Sequence, residues 1–185
     1  MKIFEKVIRD KMMSICKTKI NQKQHGFLPA KSCTTQMIPF MDSLSVNIDD
    51  ISTISTDVIY FDFSKAFDSV NHDIILHKLK HQFHIDGVLL KFLTNYLKDR
   101  KQAVVIGGSR SAVLPVLSGV PQGSILGPLL FVLFINDLPD CISQGTNIAL
   151  YADDTKIWRK ISCDNDNDVL QRDINSLYLW YVKIK

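Results

Sequence analysis

The sequence lacks the features of secreted, membrane-spanning and zinc-binding proteins. Its four cysteines form no CxxC pair and have no histidine at metal-ligand spacing, so neither a disulfide framework nor a zinc site is expected. The most apolar run, Ile125–Ile135, is too short for a membrane span and is interrupted by Gly127 and Pro128. The N-terminus has no signal-peptide pattern. We therefore expect a nuclear and/or cytoplasmic protein that is neither secreted nor inserted in a membrane.

The sequence also lacks internal repeats, low-complexity tracts and a strong net charge. Its 185 residues carry a net charge of +3 and are 46% hydrophobic, which is enough for one domain with a substantial core. The charge is uneven, because residues 1–35 hold eight Lys or Arg against two acids. This basic part could bind a polyanion or could be the solvated face of a helix, and charge alone does not separate the two.

Hydrophobic periodicity predicts an alternation of helices, strands and hairpins. Helical spacing of apolar residues predicts helices over residues 1–20, 34–48, 71–83, 87–97, 124–138 and 166–180. β-Branched and aromatic residues predict a strand over 56–63 and hairpins over 101–106 with 112–117 and 146–151 with 155–158. Pro128 is tolerated only in the first turn of a helix, so the fifth helix should begin near Ser124. This pattern favours an α+β fold with a mainly antiparallel sheet packed on helices.

Asp62 is the first candidate for a chemical role. It is expected inside the apolar strand that runs to Phe63, where a carboxylate is costly unless it binds a cation or accepts hydrogen bonds. An acid at a strand end is otherwise a helix cap or a turn residue. Ser64 and Asp68 already offer capping groups to the next helix, which leaves Asp62 free for another task.

Asp153 and Asp154 are the second acidic feature, at or beside the tip of the last predicted hairpin. Adjacent ionised carboxylates repel each other, and a multivalent cation relieves that repulsion. The alternative is an Asp-rich turn. If the two acidic strand ends are neighbours in the sheet, their oxygens suit Mg²⁺, and two such ions support in-line phosphoryl transfer.

The third feature is the loop at residues 118–124, which combines glycine and proline and leads into the apolar helix. Glycines allow the backbone to approach a ligand closely, and a helix N-terminus attracts phosphate. The same composition is also ordinary turn chemistry, so the loop alone leaves both interpretations open.

Four blocks, in a fixed order along nearly the whole chain, now carry a family resemblance. The first combines Gln-His-Gly-Phe at residues 24–27 with Ser-Cys-Thr-Thr-Gln at 32–36. The others are the Phe-Asp-Phe-Ser-Lys-Ala-Phe-Asp run within 61–72, Gly-Val-Pro-Gln-Gly-Ser within 119–131, and Tyr-Ala-Asp-Asp at 151–154. Together they resemble the fingers motif and motifs A, B and C of reverse transcriptases from non-LTR retrotransposons. Their sequences are most similar to those of jockey-like and chicken-repeat-like elements.

The resemblance implies an RNA-directed DNA polymerase with the right-hand fingers and palm architecture. It implies an RNA template, a DNA primer and deoxynucleoside triphosphates as partners, and two Mg²⁺ ions, which Mn²⁺ can replace. It places about residues 1–50 in the fingers and about 51–185 mainly in the palm, with an inserted helical and hairpin segment. The family's endonuclease and thumb regions are expected outside this chain.

The resemblance also implies roles for the residues of the metal site. Asp62 and Asp153 would bind the two metal ions, Asp154 would support them, and the backbone carbonyl of Phe63 would complete a metal shell.

Further residues match the positions that contact nucleotide and primer. Phe67 matches the steric gate, whose ring would clash with a 2′-hydroxyl and so select deoxynucleotides. Gln122 and Gly123, after Pro121, would meet the incoming nucleotide or the template. Tyr151 would lie against the primer terminus.

One departure concerns Lys31, which stands where some relatives, with Gly-Phe-Leu-Pro-Gly-Arg-Ser, have arginine. A lysine supplies a point charge but not a bidentate fork, so triphosphate binding here and an exposed loop lysine are both open interpretations.

Two other functions remain open at this stage. One is a catalytically inactive or domesticated remnant that binds nucleic acid or a protein partner. The other is a viral RNA-copying polymerase or an intron-encoded maturase, which share the palm. The intact acidic residues favour an enzyme, and the run that ends in bulky Phe67 favours the retrotransposon family.

Overall fold

A computed structural model describes residues 2–184; Met1 and Lys185, the ends of the predicted domain, lie outside the described residues. The helices are α1 Lys2–Cys16, α2 Cys33–Asp49, α3 His72–His81, α4 Gly87–Leu97, α5 Leu126–Phe134 and α6 Asp164–Ile184. The strands are β1 Ser55–Phe61, β2 Lys101–Gln102, β3 Val105–Ile106, β4 Ser109–Arg110, β5 Leu114–Pro115, β6 Thr146–Tyr151 and β7 Asp154–Ile161. Every strand pair is antiparallel, which confirms the predicted α+β class.

The chain divides into two compact units. The first combines Met1–Lys19 with Lys65–Phe134, and the second combines Ile20–Ser64 with Ile135–Lys185. The first unit is mostly helical, whereas the second holds the three-stranded sheet.

Helix α5 is the buried centre of the first unit. Every residue from Leu126 to Phe134 except Pro128 is buried, and burial of each large apolar side chain contributes about 1.5–3 kcal/mol. Pro128 lies in the first turn, as predicted. The helix ends four residues before the predicted Leu138, and a 3₁₀ turn at Leu138–Cys141 follows. Pro139 is the second residue of this 3₁₀ turn, a position where its missing N–H costs little.

Asn71 caps α3, which corrects the assignment of that role to Ser64 and Asp68. The Asn71 side-chain oxygen accepts from the backbone N–H groups of Asp73 and Ile74. Residues 64–68 form turns rather than the start of a helix, so the cap lies further along the chain.

The predicted hairpin between α4 and α5 is present with shorter strands. β3 pairs with β4 across Gly107 and Gly108, and β2 pairs with β5. Both glycines have positive φ (55° and 84°), the conformation that a two-residue hairpin turn requires.

The sheet of the second unit has the order β1-β7-β6, with β7 in the centre. Phe61 pairs with Thr155 and Tyr151 pairs with Asp154, so β1 ends where β7 begins. The prediction that Asp62 lies inside the strand was therefore wrong by one residue, since the ladder ends at Phe61. Asp62 follows directly, at the level of Asp154.

Helices α2 and α6 both pack on this sheet. From α2, Phe40 meets Trp158 edge to face, with ring centroids 4.9 Å apart, and Ser43 accepts from the Trp158 indole at 2.9 Å. In the first turn of α6, the Asp166 carboxylate accepts hydrogen bonds from the Arg159 side chain and from the backbone N–H of Ser162. Within residues 2–184 no helix combines the length and apolarity needed to cross a bilayer.

Candidate active site

The acidic end of the sheet brings together three predicted site residues. Asp62 follows β1, Asp154 opens β7, and Tyr151 closes β6 as the pairing partner of Asp154. Asp62 and Asp154 are exposed, whereas Asp153 and Tyr151 are half-buried. Sheet register therefore sets these residues side by side at one end of the β1-β7-β6 sheet.

Asp153 occupies the two-residue turn between β6 and β7, after Ala152. Partial burial raises the pKa of the Asp153 carboxyl, and the charges of Asp154 and Asp62 raise it further. The three aspartates are thus close enough for each ionised group to disfavour the ionisation of Asp153. A cation between them would reverse that electrostatic effect.

The donor chemistry of this site suits a hard divalent cation. Its side chains offer carboxylate oxygens without imidazole or thiolate, the set that Mg²⁺ prefers. Among residues 2–184, no group of three or more His, Cys, Asp or Glu side chains is arranged to bind a metal ion by itself. Mg²⁺ does not need one, because it keeps several waters and takes substrate phosphates as ligands.

Two cavities open beside the acidic end. One, of about 410 Å³, is lined by Cys33, Gln36, Met37, Tyr60, Phe61, Asp62, Tyr151, Asp154, Thr155 and Lys156. The other, of about 480 Å³, is lined by Phe61, Asp62, Phe63, Ser64, Ile174, Asn175, Leu177, Tyr178 and Tyr181. Asp62 borders both, so one carboxylate faces space on either side of the strand end.

Lys156 is a lining residue that sequence reasoning missed. It is only 4% exposed, its Nζ lies 4.1 Å from the centre of the Phe40 ring, and it contacts Met37 Sδ at 3.3 Å. Burial lowers the pKa of Lys156. A lysine placed directly before Ile157 and Trp158 in an apolar strand was the available signal.

Phe63 packs against the end of α6. Its ring stacks on Tyr181 with centroids 5.6 Å apart and lies 6.5 Å from the Trp180 ring. The side chain is therefore held in place by aromatic packing, while the predicted role belongs to its backbone carbonyl.

Tyr151 and Lys31 both have partners that fix them. A hydrogen bond with the Cys33 thiol raises the pKa of the Tyr151 hydroxyl. The Lys31 ammonium donates to the backbone carbonyls of Gln22 and Gln24, at 2.7 and 2.8 Å. Lys31 thus closes its own loop, and burial lowers its pKa.

In the first unit, the loop at residues 118–124, called here the Gln122 loop, is bound to the second half of the motif A block. Gln122 Nε2 donates to Asp68 at 2.8 Å, and Val120 N–H donates to the Phe67 carbonyl at 2.8 Å. Gly119 has a φ of +91°, and a Cβ there would lie 2.9 Å from the Asp68 backbone. The structure therefore brings Gln122 and Phe67 together, with Asp68 as a partner that sequence reasoning had assigned to helix capping.

The remaining predicted residues of this unit flank that contact. Pro121 accepts from Ser124 Oγ at 2.6 Å, and Gly123, with φ +72°, faces open space. The Phe67 ring stacks on Phe131 with centroids 4.3 Å apart. Phe67 is therefore packed against α5 on one face and half-buried overall.

A cavity of about 750 Å³ adjoins the Gln122 loop. It is lined by Lys65, Asp68, Arg100, Lys101, Gln102 and residues 115–122. Its three basic side chains suit an anionic ligand.

Comparison with known proteins now complements this geometry. Residues 1–184 match the family described as reverse transcriptase (RNA-dependent DNA polymerase). The RNA-directed DNA polymerase from mobile element jockey of Drosophila funebris is 34% identical over 131 residues, 67% of this chain and 14% of that protein. The probable RNA-directed DNA polymerase from transposon BS of Drosophila melanogaster is 30% identical over 189 residues, 97% of this chain and 20% of that protein. The chain thus spans a fifth or less of these relatives.

A solved structure supports the same fold. Telomerase from Candida albicans, in complex with the TWJ fragment of telomeric RNA, superposes with a TM-score of 0.65 at 13% identity, over 90% of this chain and 31% of that chain. These matches confirm the resemblance drawn from the four sequence blocks. Because the family match extends over almost the entire sequence, the chain belongs to the reverse transcriptase (RNA-dependent DNA polymerase) family.

Proposed function

We propose that the chain carries the nucleotidyl-transfer centre of an RNA-directed DNA polymerase encoded by a non-LTR retrotransposon. The observation that carries the proposal is the placement of Asp62, Asp153 and Asp154 at one end of the β1-β7-β6 sheet. The proposed partners are an RNA template, a DNA primer and deoxynucleoside triphosphates, within an element ribonucleoprotein of the nucleus and/or cytoplasm. We place about residues 51–185, which include the three-stranded sheet, mainly in the palm and about residues 1–50 in the fingers.

In the proposed reaction, the primer 3′-oxygen forms a bond with the α-phosphorus of the nucleotide. The bond from that phosphorus to the bridging oxygen breaks, pyrophosphate leaves with the electron pair, and the hydroxyl proton passes to solvent. Two Mg²⁺ ions, or Mn²⁺ in their place, supply activation of the 3′-hydroxyl and stabilisation of the leaving oxygens. Asp62, Asp153 and the Phe63 backbone carbonyl would bind these ions, and Asp154 would support them.

The other predicted residues orient the reactants. Tyr151 contacts the primer terminus in this proposal, which its pairing with Asp154 at the same sheet end supports. Gln122, fixed by Asp68, contacts the incoming nucleotide or template, with Pro121 and Gly123 shaping its loop. Phe67 restricts the sugar, and Lys31 adds positive charge for the triphosphate.

The test is primer extension on an RNA template with Mg²⁺ and deoxynucleotides. Asp62→Asn should abolish extension, since it removes one carboxylate charge without changing side-chain size. Asp57→Asn is the matched control, because Asp57 lies exposed in β1, the strand that Asp62 follows, away from the acidic end. If the wild-type chain binds primer–template without extending it, and Asp62→Asn leaves that binding unchanged, the chain is a nucleic-acid-binding remnant and the proposal fails.

A further inference from the structure

The segment before α2 runs along the free edge of β6. His25 N–H donates to the Leu150 carbonyl at 2.8 Å, and Leu150 N–H donates to the Lys23 carbonyl at 2.9 Å. Gln24 and Leu150 form a parallel bridge, so these residues extend the sheet beyond β6. This pairing brings the Gln24 side chain to the turn that follows β6.

The buried side chain of Gln24 binds both polar backbone groups of Ala152. Its Oε1 accepts from Ala152 N–H at 3.0 Å, and its Nε2 donates to the Ala152 carbonyl at 3.4 Å. Oε1 also accepts from Gly26 N–H at 2.7 Å, which fixes the amide within its own loop. One side-chain amide therefore replaces the strand partner that the turn residue lacks.

Ala152 adopts a conformation that needs such support. Its φ is +56°, in the left-handed region, where a residue with a Cβ is disfavoured. It directly precedes Asp153, so its backbone angles set the direction in which that carboxylate projects.

Gly26 permits the close approach on which these bonds depend. A Cβ on Gly26 would lie 2.2 Å from Ala152 N and 2.9 Å from Ala152 Cα, closer than any real contact. The fixed backbone of Ala152 leaves no room for even a methyl group at this position.

We propose that Gln24, with Gly26, is a positioning residue that holds Ala152 in its left-handed conformation and so aims Asp153 at a bound divalent cation. The inference rests on the proposed function, because it assigns Asp153 to the cation. Neither residue touches the ion or the nucleotide. Their effect passes through the backbone of one turn.

The test measures the turn and the cation separately, on the 185-residue chain. Amide hydrogen exchange at Ala152 reports the bond to Gln24, and a Mn²⁺ titration followed by electron paramagnetic resonance reports cation binding. Gln24→Ala should accelerate exchange at Ala152 and weaken Mn²⁺ binding by about tenfold, the size expected when a group supporting a metal ligand is removed. Gln22→Ala is the matched control, since Gln22 is an exposed glutamine of the same loop.

Two further variants keep the test decisive if Gln24→Ala fails to fold. Gln24→Glu retains an oxygen that accepts from Ala152 and Gly26, so exchange at Ala152 should remain slow. Gly26→Ala should accelerate that exchange and weaken Mn²⁺ binding, although Gln24 is intact.

The outcomes separate this inference from the proposed function. If Mn²⁺ binds normally to a Gln24→Ala chain whose Ala152 amide exchanges fast, Gln24 is only structural and the inference is overturned. The inference is also overturned if exchange at Ala152 does not change in that variant. If the wild-type chain binds no Mn²⁺, or if Asp153→Asn binds it as well as wild type does, the proposed function itself fails. Slow exchange at Ala152 in the wild-type chain would then show that the bond to Gln24 is intact and that the failure lies in the proposed function.

Discussion

The acidic end of the sheet and the Gln122 loop place their functional residues by different means. At the acidic end, register between strands distant in sequence sets Asp62 beside Asp154. In the loop, Gln122 is held by contacts to one short segment, through its bond to Asp68 and the packing of Gly119 on Asp68. Changes at the acidic end should therefore affect chemistry with little effect on folding, whereas changes in the loop should affect both.

The largest expected effect is on the chemistry of the acidic end. Asp153→Asn should lower the rate of primer extension by at least roughly 10³-fold, because a metal ion contributes several kcal/mol to the transition state. Its urea midpoint should stay close to wild type, since Asp153 is a turn residue with repelling neighbours. Primer extension and urea unfolding, measured on the same variant, test these two results. A large fall in the urea midpoint would contradict the expectation that changes at the acidic end affect the reaction without affecting stability.

The next effect concerns sugar selection in the first unit. Phe67→Val should raise incorporation of ribonucleotides relative to deoxynucleotides by roughly 10–100-fold, the range typical of a steric change in a pocket. Competitive single-nucleotide incorporation measures the ratio. Phe131→Leu is the control, because it removes the stacking partner of Phe67 while leaving the gate ring in place. Equal sugar selectivity in Phe67→Val and wild type would remove the gate assignment.

Two glycines of the Gln122 loop provide a matched comparison of stability. Gly119→Ala should lower the free energy of unfolding by about 2–3 kcal/mol, because it combines left-handed strain with a collision against the Asp68 backbone. Gly123→Ala shares the positive φ but meets open space, so it should cost only about 1 kcal/mol. Urea unfolding of both variants checks the difference; equal losses would show that the contact with Asp68 is loose.

The smallest expected effect is a gain at Lys156. Lys156→Met should raise the free energy of unfolding by about 1 kcal/mol at pH 7. The free-energy cost of burying the Lys156 ammonium exceeds the stabilisation from its contact with the Phe40 ring, and methionine removes both. Burial lowers the pKa of Lys156 in the folded state, so wild-type stability from this group rises with pH toward the unfolded value of 10.5. The advantage of the variant should therefore shrink as the pH rises from 7 to 10.5. A constant advantage across that range would exclude the charge as its cause.

Local sequence was sufficient for most elements and for the identity of the acidic residues. Helix α4 has the predicted bounds, and the last hairpin places Asp154 beside its tip, because periodicity and turn residues are local signals. The end of β1 was missed by two residues, since the ladder stops where β7 begins and that depends on a partner strand far away in the sequence.

The supporting residues could not be predicted in the same way. Gln24 is a polar side chain in an irregular segment, and only a contact with Ala152, 128 positions away, gives it a role. Asp68 had an equally good local explanation as a helix cap, and the bond to Gln122 overrides it. Both cases depend on contacts between distant segments, which no local pattern specifies.

The Gly107–Gly108 turn has a practical consequence. Beyond its immediate chain neighbours, a Cβ on either glycine would have no atom within 4 Å, and both flanking strand pairs are only two residues long. Exposed loop tips of this kind accept inserted residues without loss of folding. A short peptide tag or a fluorophore attachment site inserted between Gly107 and Gly108 should leave the acidic end of the sheet intact, giving a handle for immobilising the protein during single-molecule measurements.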